Sequence, residues 1–182
     1  RSRARRQPAV ILSRLLGWVL FTAWISWSFA LQARFGAASA AGPFVPEIGL
    51  VLALAVLARL DQREAPVLAL VVALTRLAYS GEPVVALLAG SLGVVLLALA
   101  VRSVVELTGP LWRTVTTAGL VAAFDLWLAV THAARPIGSS AGLPVGFGSL
   151  LAAAFSSGLL ALFAGPTLAR LPGLTPLRSR RW

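Results

Sequence analysis

Cysteine and methionine are absent from the 182 residues, histidine occurs once, and aspartate and glutamate together number six. No disulfide framework can form, and no zinc, haem or iron–sulfur centre of the usual ligand types can be assembled within the chain. The same scarcity leaves no Ser–His–Asp arrangement, no paired-carboxylate site and no Walker loop, so neither an enzyme nor a cofactor or metal is expected. The lack of methionine leads to the expectation of further residues ahead of Arg1.

What is present is apolar. Hydrophobic residues make up 58% of the chain and charged residues 12%, with a mean hydropathy of +0.87, against roughly 45–50% and 25% in soluble domains. An ordinary water-soluble domain is excluded. At roughly 20 residues per spanning helix, the length permits about six or seven crossings and little else. The expectation is one all-α integral membrane domain over residues 1–182.

Six apolar runs can be traced. The first covers residues 9–33, with Arg14 near enough to its end to snorkel towards the headgroups. A signal peptide cleaved near residues 38–40 is the rival reading, but the run is too long and too rich in tryptophan for a core of roughly 7–15 residues. A Gly/Ala/Ser/Pro loop at 36–46 follows, then two short runs, 47–60 and 65–79, around the cluster Asp61, Gln62, Arg63, Glu64. These are either two short or tilted spans or one hairpin that does not cross fully. Residues 80–83 form a turn, 84–101 a span, 102–113 a connection, 114–134 a span, 135–144 a turn, and 145–169 the last span. Two segments lie outside the bundle, the basic stretch 1–8 and the tail 170–182.

All 16 basic residues are arginine, giving a net charge of +10. If all six runs cross, twelve arginines (1, 3, 5, 6, 59, 63, 102, 113, 170, 178, 180 and 181) share one side and three (34, 76 and 135) the other. The positive-inside rule then puts both termini in the cytoplasm of a multi-pass protein of a bacterial inner membrane. Arg178, Arg180 and Arg181 abut the membrane, so anionic lipid is the expected partner of the tail, which Pro172, Gly173 and Pro176 keep from forming a regular helix. No basic–aromatic interleaving outside the membrane points to nucleic acid.

Asp125 is the sharpest single feature, near the middle of the fifth run between Phe124 and Leu126. A mid-bilayer charge costs about 2.5–3.5 kcal/mol, so it should face protein or water, as a proton or ligand site or as a polar clasp to another helix, with Arg76 or a partner-chain residue as its mate. His132 returns seven residues on to nearly the same face, where it is either part of that site or an interfacial residue, and Thr117 and Thr131 add hydrogen-bonding capacity. Arg76 is expected to snorkel from the end of a short span. Arg102 and Glu106 read as a surface pair, and Glu47 after Pro46 as a helix-start carboxylate that offsets the dipole. Ala153, Ser157, Ala161 and Gly165 form a small-residue ladder suited to close helix packing, inside the chain or against a partner, with a shorter set at Ala86/Gly90 and Ala89/Gly93. Phe21, Trp24, Trp27 and Phe29 suggest a surface for lipid or a partner helix.

Leu31–Gln32 closes the first run, Pro46–Glu47 opens the next where Pro–Asp is common, and Ser80–Gly81–Glu82–Pro83 precedes the fourth where a Ser–Gly–x–Pro-like turn is common. In these features, spread over residues 31–130, the chain resembles the rod-shape-determining protein MreD family. It departs from that pattern at residues 73–77, where Ala-Leu-Thr-Arg-Leu replaces a Gly-rich stretch ending in an acid. The resemblance implies a non-enzymatic subunit of the bacterial elongasome, aiding cell shape and peptidoglycan synthesis beside MreC, the MreB filament, RodA and a class B penicillin-binding protein. It also implies kinship with the six-helix substrate-binding subunits of energy-coupling-factor transporters. Two other functions fit the same pattern: a small-molecule-binding transporter subunit using Asp125 and His132, and a structural subunit of a respiratory or photosynthetic complex.

Overall fold

A computed structural model describes residues 3–38, 44–105, 109–134 and 146–177. Among them are six α-helices: α1 (Arg3–Ala38), α2 (Ile48–Leu57), α3 (Ala65–Leu77), α4 (Val84–Val104), α5 (Pro110–Ala133) and α6 (Phe147–Leu168). Four are long and apolar enough to span a bilayer, namely Ile11–Gly36 within α1, and α4, α5 and α6. These are the marks of a multi-pass membrane protein. With 10 and 13 residues, α2 and α3 rise only about 15 and 20 Å, short of a hydrocarbon core of about 30 Å.

The short α2 is possible because protein, not lipid, surrounds it. Its sequence is apolar on every face, and eight of its residues, Gly49 to Ala53 and Ala55 to Leu57, are buried, as expected of a helix with no polar stripe. Both ends are satisfied by neighbours. At the start, the Glu47 N–H donates to Ser157 Oγ of α6 at 2.9 Å; at the other end, Arg102 Nη1 donates to the carbonyls of Leu57 and Leu60, each at 2.9 Å. Arg102 therefore caps a helix where the sequence suggests only a surface pair with Glu106, which lies outside the described residues.

Several boundaries shift for the same reason, the need to satisfy backbone groups internally. Helix α1 continues to Ala38, past the loop start that Gly36 suggests, and α5 begins at Pro110, where a missing N–H costs nothing in the first turn. Arg113 thus lies inside a helix and not in a connection. Its side chain repairs α6: Pro166 has no N–H for the carbonyl of Leu162, and Arg113 Nη2 donates there at 3.0 Å while its Nε donates to the carbonyl of Ala161 at 2.8 Å.

Phe21, Ile25 and Phe29 of α1 meet Leu52, Leu68, Leu87, Val121 and Phe124 in one core. The four-residue aromatic surface expected on α1 is therefore split. Phe21 and Phe29 point inward, Trp27 is 59% exposed, and Trp24 is partly buried with its Nε1 donating to the carbonyl of Pro172 at 3.3 Å.

The described part of the tail packs on the bundle: residues 172–177 lie beside α1, with Leu174 and Leu177 buried. The chain turns at Gly173, whose φ of +83° brings its backbone against Leu20, and Leu177 then meets Gly17. A positive φ favours glycine here, and the same close approach leaves no room for a side chain. Arg178, Arg180 and Arg181 lie outside the described residues.

Candidate functional site

At the end of the bundle where α2, α4 and α6 begin and α1, α3 and α5 end, a cavity of about 440 Å³ opens. Its size falls within the range of small-molecule sites, about 300–1,000 Å³. Glu47 enters it from the start of α2, Arg76 and Tyr79 from the end of α3, Glu82 from the following turn, Asp125 and His132 from α5, and Gln32 from α1. A smaller, mostly apolar cavity of about 80 Å³ lies between the opposite halves of α2, α5 and α6, beside Leu54, Leu120 and Arg113.

Arg76 does not snorkel. Its Nη1 and Nη2 donate to Glu47 Oε2 and Oε1 at 2.6 and 3.1 Å, and the guanidinium lies 4.6 Å from the Phe124 ring centroid and 5.8 Å from that of Phe29. Arg76 exposes only 13% of its side chain and Glu47 10%. A bidentate pair between two ring faces is a geometry to which the planar guanidinium is suited. Glu47 is thus more than a helix-start carboxylate: its backbone holds α6 and its side chain holds α3.

Asp125 points into the cavity, as its mid-span position requires, but Arg76 is not its hydrogen-bonded mate. It makes no hydrogen bond or ion pair among the described residues, while remaining close enough to Glu47 and Arg76 to feel both charges. His132 shares this face and contacts Glu82 through Nε2 and Oε1, tying the end of α5 to the turn before α4. Thr117 and Thr131, which the sequence offers as hydrogen-bonding capacity beside Asp125, do not join the site. Thr117 is buried at the smaller cavity, and Thr131 donates to the carbonyl of Leu128 in its own helix at 2.8 Å.

The ladder on α6 packs within the chain. Ser157 and Ala161 are 0% and 2% exposed, Gly165 lies against Arg113, and Ala153 reaches the cavity wall. Gly158 belongs to the same interface, since a Cβ there would meet Ala118 Cβ of α5 at 3.1 Å. On α4 the shorter set divides: Ala86 and Gly90 face inward, with Trp127 Nε1 donating to the Ala86 carbonyl at 2.9 Å, whereas Ala89 and Gly93 face outward.

Two acids of the site, Glu47 and Glu82, are not singled out by sequence as functional. A signal for them exists: the end that carries only three arginines by the six-run reading also carries Glu47 and Glu82, with Asp125 in the middle of the span that leads to it. So few charges at one end of an apolar bundle must pair with one another or face water. Among the described residues no group of three or more His, Asp or Glu has the arrangement to hold a metal ion. Comparison with known protein families, with characterised proteins and with solved structures finds no match.

Proposed function

We propose that the chain is a non-enzymatic subunit of the bacterial elongasome, resident in the cytoplasmic membrane, with a role like that of MreD in supporting cell-shape maintenance and peptidoglycan synthesis. The observation that carries the reading is spatial. Gln32, Glu47, Ser80 and Glu82 belong to the three separate segments on which the resemblance to that family rests, and all four line the same cavity. The three segments lie at helix ends on one side of the bundle, and the folded chain gathers them around a single cavity.

In this reading all six helices pass through the membrane plane and both termini are cytoplasmic. The Arg14 to Glu64 ion pair, at 2.6 Å, and the docking of Leu177 on Gly17 support it, because they bring the first part of α1, the 61–64 turn and the tail to the arginine-rich end. The cavity then opens on the outer face. Because the α6 ladder is occupied internally, partner helices are left the outward faces of α1 and α4, including Trp27 and the Ala89/Gly93 pair.

Purification in mild detergent from native membranes, followed by mass spectrometry, is expected to recover MreC-like and cell-wall synthase chains. Recovery of an ATPase module in their place would refute the elongasome reading. A second reading, a small-molecule-binding subunit of a transporter, is favoured by one observation: the volume of the cavity, with Asp125 in its wall unpaired among the described residues.

A further inference from the structure

We infer that the cavity binds a small organic ligand carrying a protonated amine, with the ammonium at Asp125 and an apolar body against Phe29, Leu128 and Leu150. The inference rests on reading the cavity as a ligand site, and adds the chemical class of the ligand.

Charge is the first argument. The walls carry three carboxylates, Glu47, Glu82 and Asp125, against one guanidinium and one imidazole. Both terminal nitrogens of Arg76 are committed to Glu47, and His132 is committed to Glu82. Counted over the described lining residues, one negative charge is left over even with His132 protonated, and the carboxylate without a hydrogen-bonding or ion-pair partner among them is Asp125. An anionic ligand would meet that charge, and the one arginine among the described lining residues, Arg76, is already committed to Glu47. A carboxylate in a partly desolvated wall is worth far more to a cation than the same group in water.

Hydrogen-bonding capacity is the second and independent argument. Gln32 Oε1 and Ser80 Oγ, both in the cavity walls, are buried and have no hydrogen-bond partner among the described residues. A buried acceptor left unpaired costs free energy, so two in one cavity call for a donor from outside the chain. An ammonium group has three donors and no acceptor, which answers the need of Asp125 and of these oxygens together. A bare metal ion would need several converging ligands, and no such group exists among the described residues. The apolar share of the lining, with Phe29, Val45, Leu128 and Leu150, matches the usual composition of small-molecule sites, in which few polar groups orient a mostly apolar ligand.

Three probes of similar size and different charge decide the matter: 2-phenylethylammonium, 2-phenylethanol and 3-phenylpropanoate, each titrated at pH 7 against the detergent-purified chain and followed by ligand-detected NMR. The ammonium should bind saturably and about tenfold or more tightly than the alcohol or the carboxylate, as for a charge-assisted hydrogen bond at a desolvated site. Asp125→Asn should erase that preference, and Ala129→Trp, which fills the cavity, should abolish binding of every probe. Thermal unfolding of each variant without probe verifies that it is folded. Equal affinities for the three probes, all lost in Ala129→Trp, would overturn the amine while leaving the cavity as a ligand site. No binding of any probe, or binding unaffected by Ala129→Trp, would remove both.

Discussion

Glu47→Gln is expected to destabilise the folded chain by about 3–5 kcal/mol, the cost typical of removing one partner from a buried ion pair. The loss exceeds that of a surface pair, at about 0–1 kcal/mol, because the Arg76 guanidinium would remain between the rings of Phe29 and Phe124 without its bidentate partner, with only the unbonded Asp125 nearby. Glutamine keeps the shape and one acceptor, so the deficit measures charge and not packing. Arg76→Leu should be costly for the mirror reason, leaving Glu47 buried. The double variant Glu47→Leu/Arg76→Leu should lose much less than the two single costs added, since apolar replacement of a whole buried pair is often nearly neutral. Thermal or denaturant unfolding monitored by tryptophan fluorescence checks the cycle. Additive losses would mean that the pair is not coupled as the geometry indicates.

The second large effect concerns Gly49, at the crossing of α2 and α1. A Cβ built there would approach Phe29 ring atoms at 2.4 to 2.7 Å, and Phe29 is itself only 4% exposed. Gly49→Val must therefore displace a core aromatic, an overpacking cost of about 1–3 kcal/mol. Because the same ring flanks Arg76, the displacement should also reach the cavity and weaken any ligand bound in it. Gly93→Val is the control: nothing lies within 4 Å of a Cβ at that position, and valine has a somewhat better helix propensity than glycine. Its unfolding midpoint should stay at or slightly above that of the wild type. Equal destabilisation by the two substitutions would show that helix propensity, not the close approach of α1 and α2, governs both.

The long helices are legible in the sequence because apolar length in a bilayer leaves the backbone few alternatives. α4 and α6 lie within a few residues of their apolar runs, and the two short runs become the two short helices. The ends of elements are less legible, because they depend on distant side chains. Arg102 completes α2 from 42 and 45 residues away, and Arg113 supplies the donor that Pro166 lacks from 49 residues away. Neither relation leaves a local pattern.

The site divides in the same way. Asp125 is conspicuous because a charge in the middle of an apolar run needs an explanation wherever the helix packs, and its return to His132 after seven residues is a property of helix geometry alone. Glu47 has a sufficient local explanation at a helix start, which conceals its pairing with Arg76 across 29 residues. Arg76 likewise sits close enough to a helix end for snorkelling to look adequate. Each becomes a site residue only when α3 packs beside α2. The inward orientation of Phe21 and Phe29 is equally a matter of packing, since all four aromatics of α1 look alike to a hydropathy pattern.

The proposed function places the charged cavity on the outer face of the membrane, opposite the arginine-rich end. The absence of native cysteine allows single thiols to report it directly. With Ala129→Cys in the cavity and Ser103→Cys at the exposed far end of α4, a membrane-impermeant maleimide is added to intact spheroplasts before and after permeabilisation. Labelling of Cys at 129 in intact cells, and of Cys at 103 only once the membrane is opened, is the predicted result. The reverse pattern, or labelling of both positions from the same side, would contradict it.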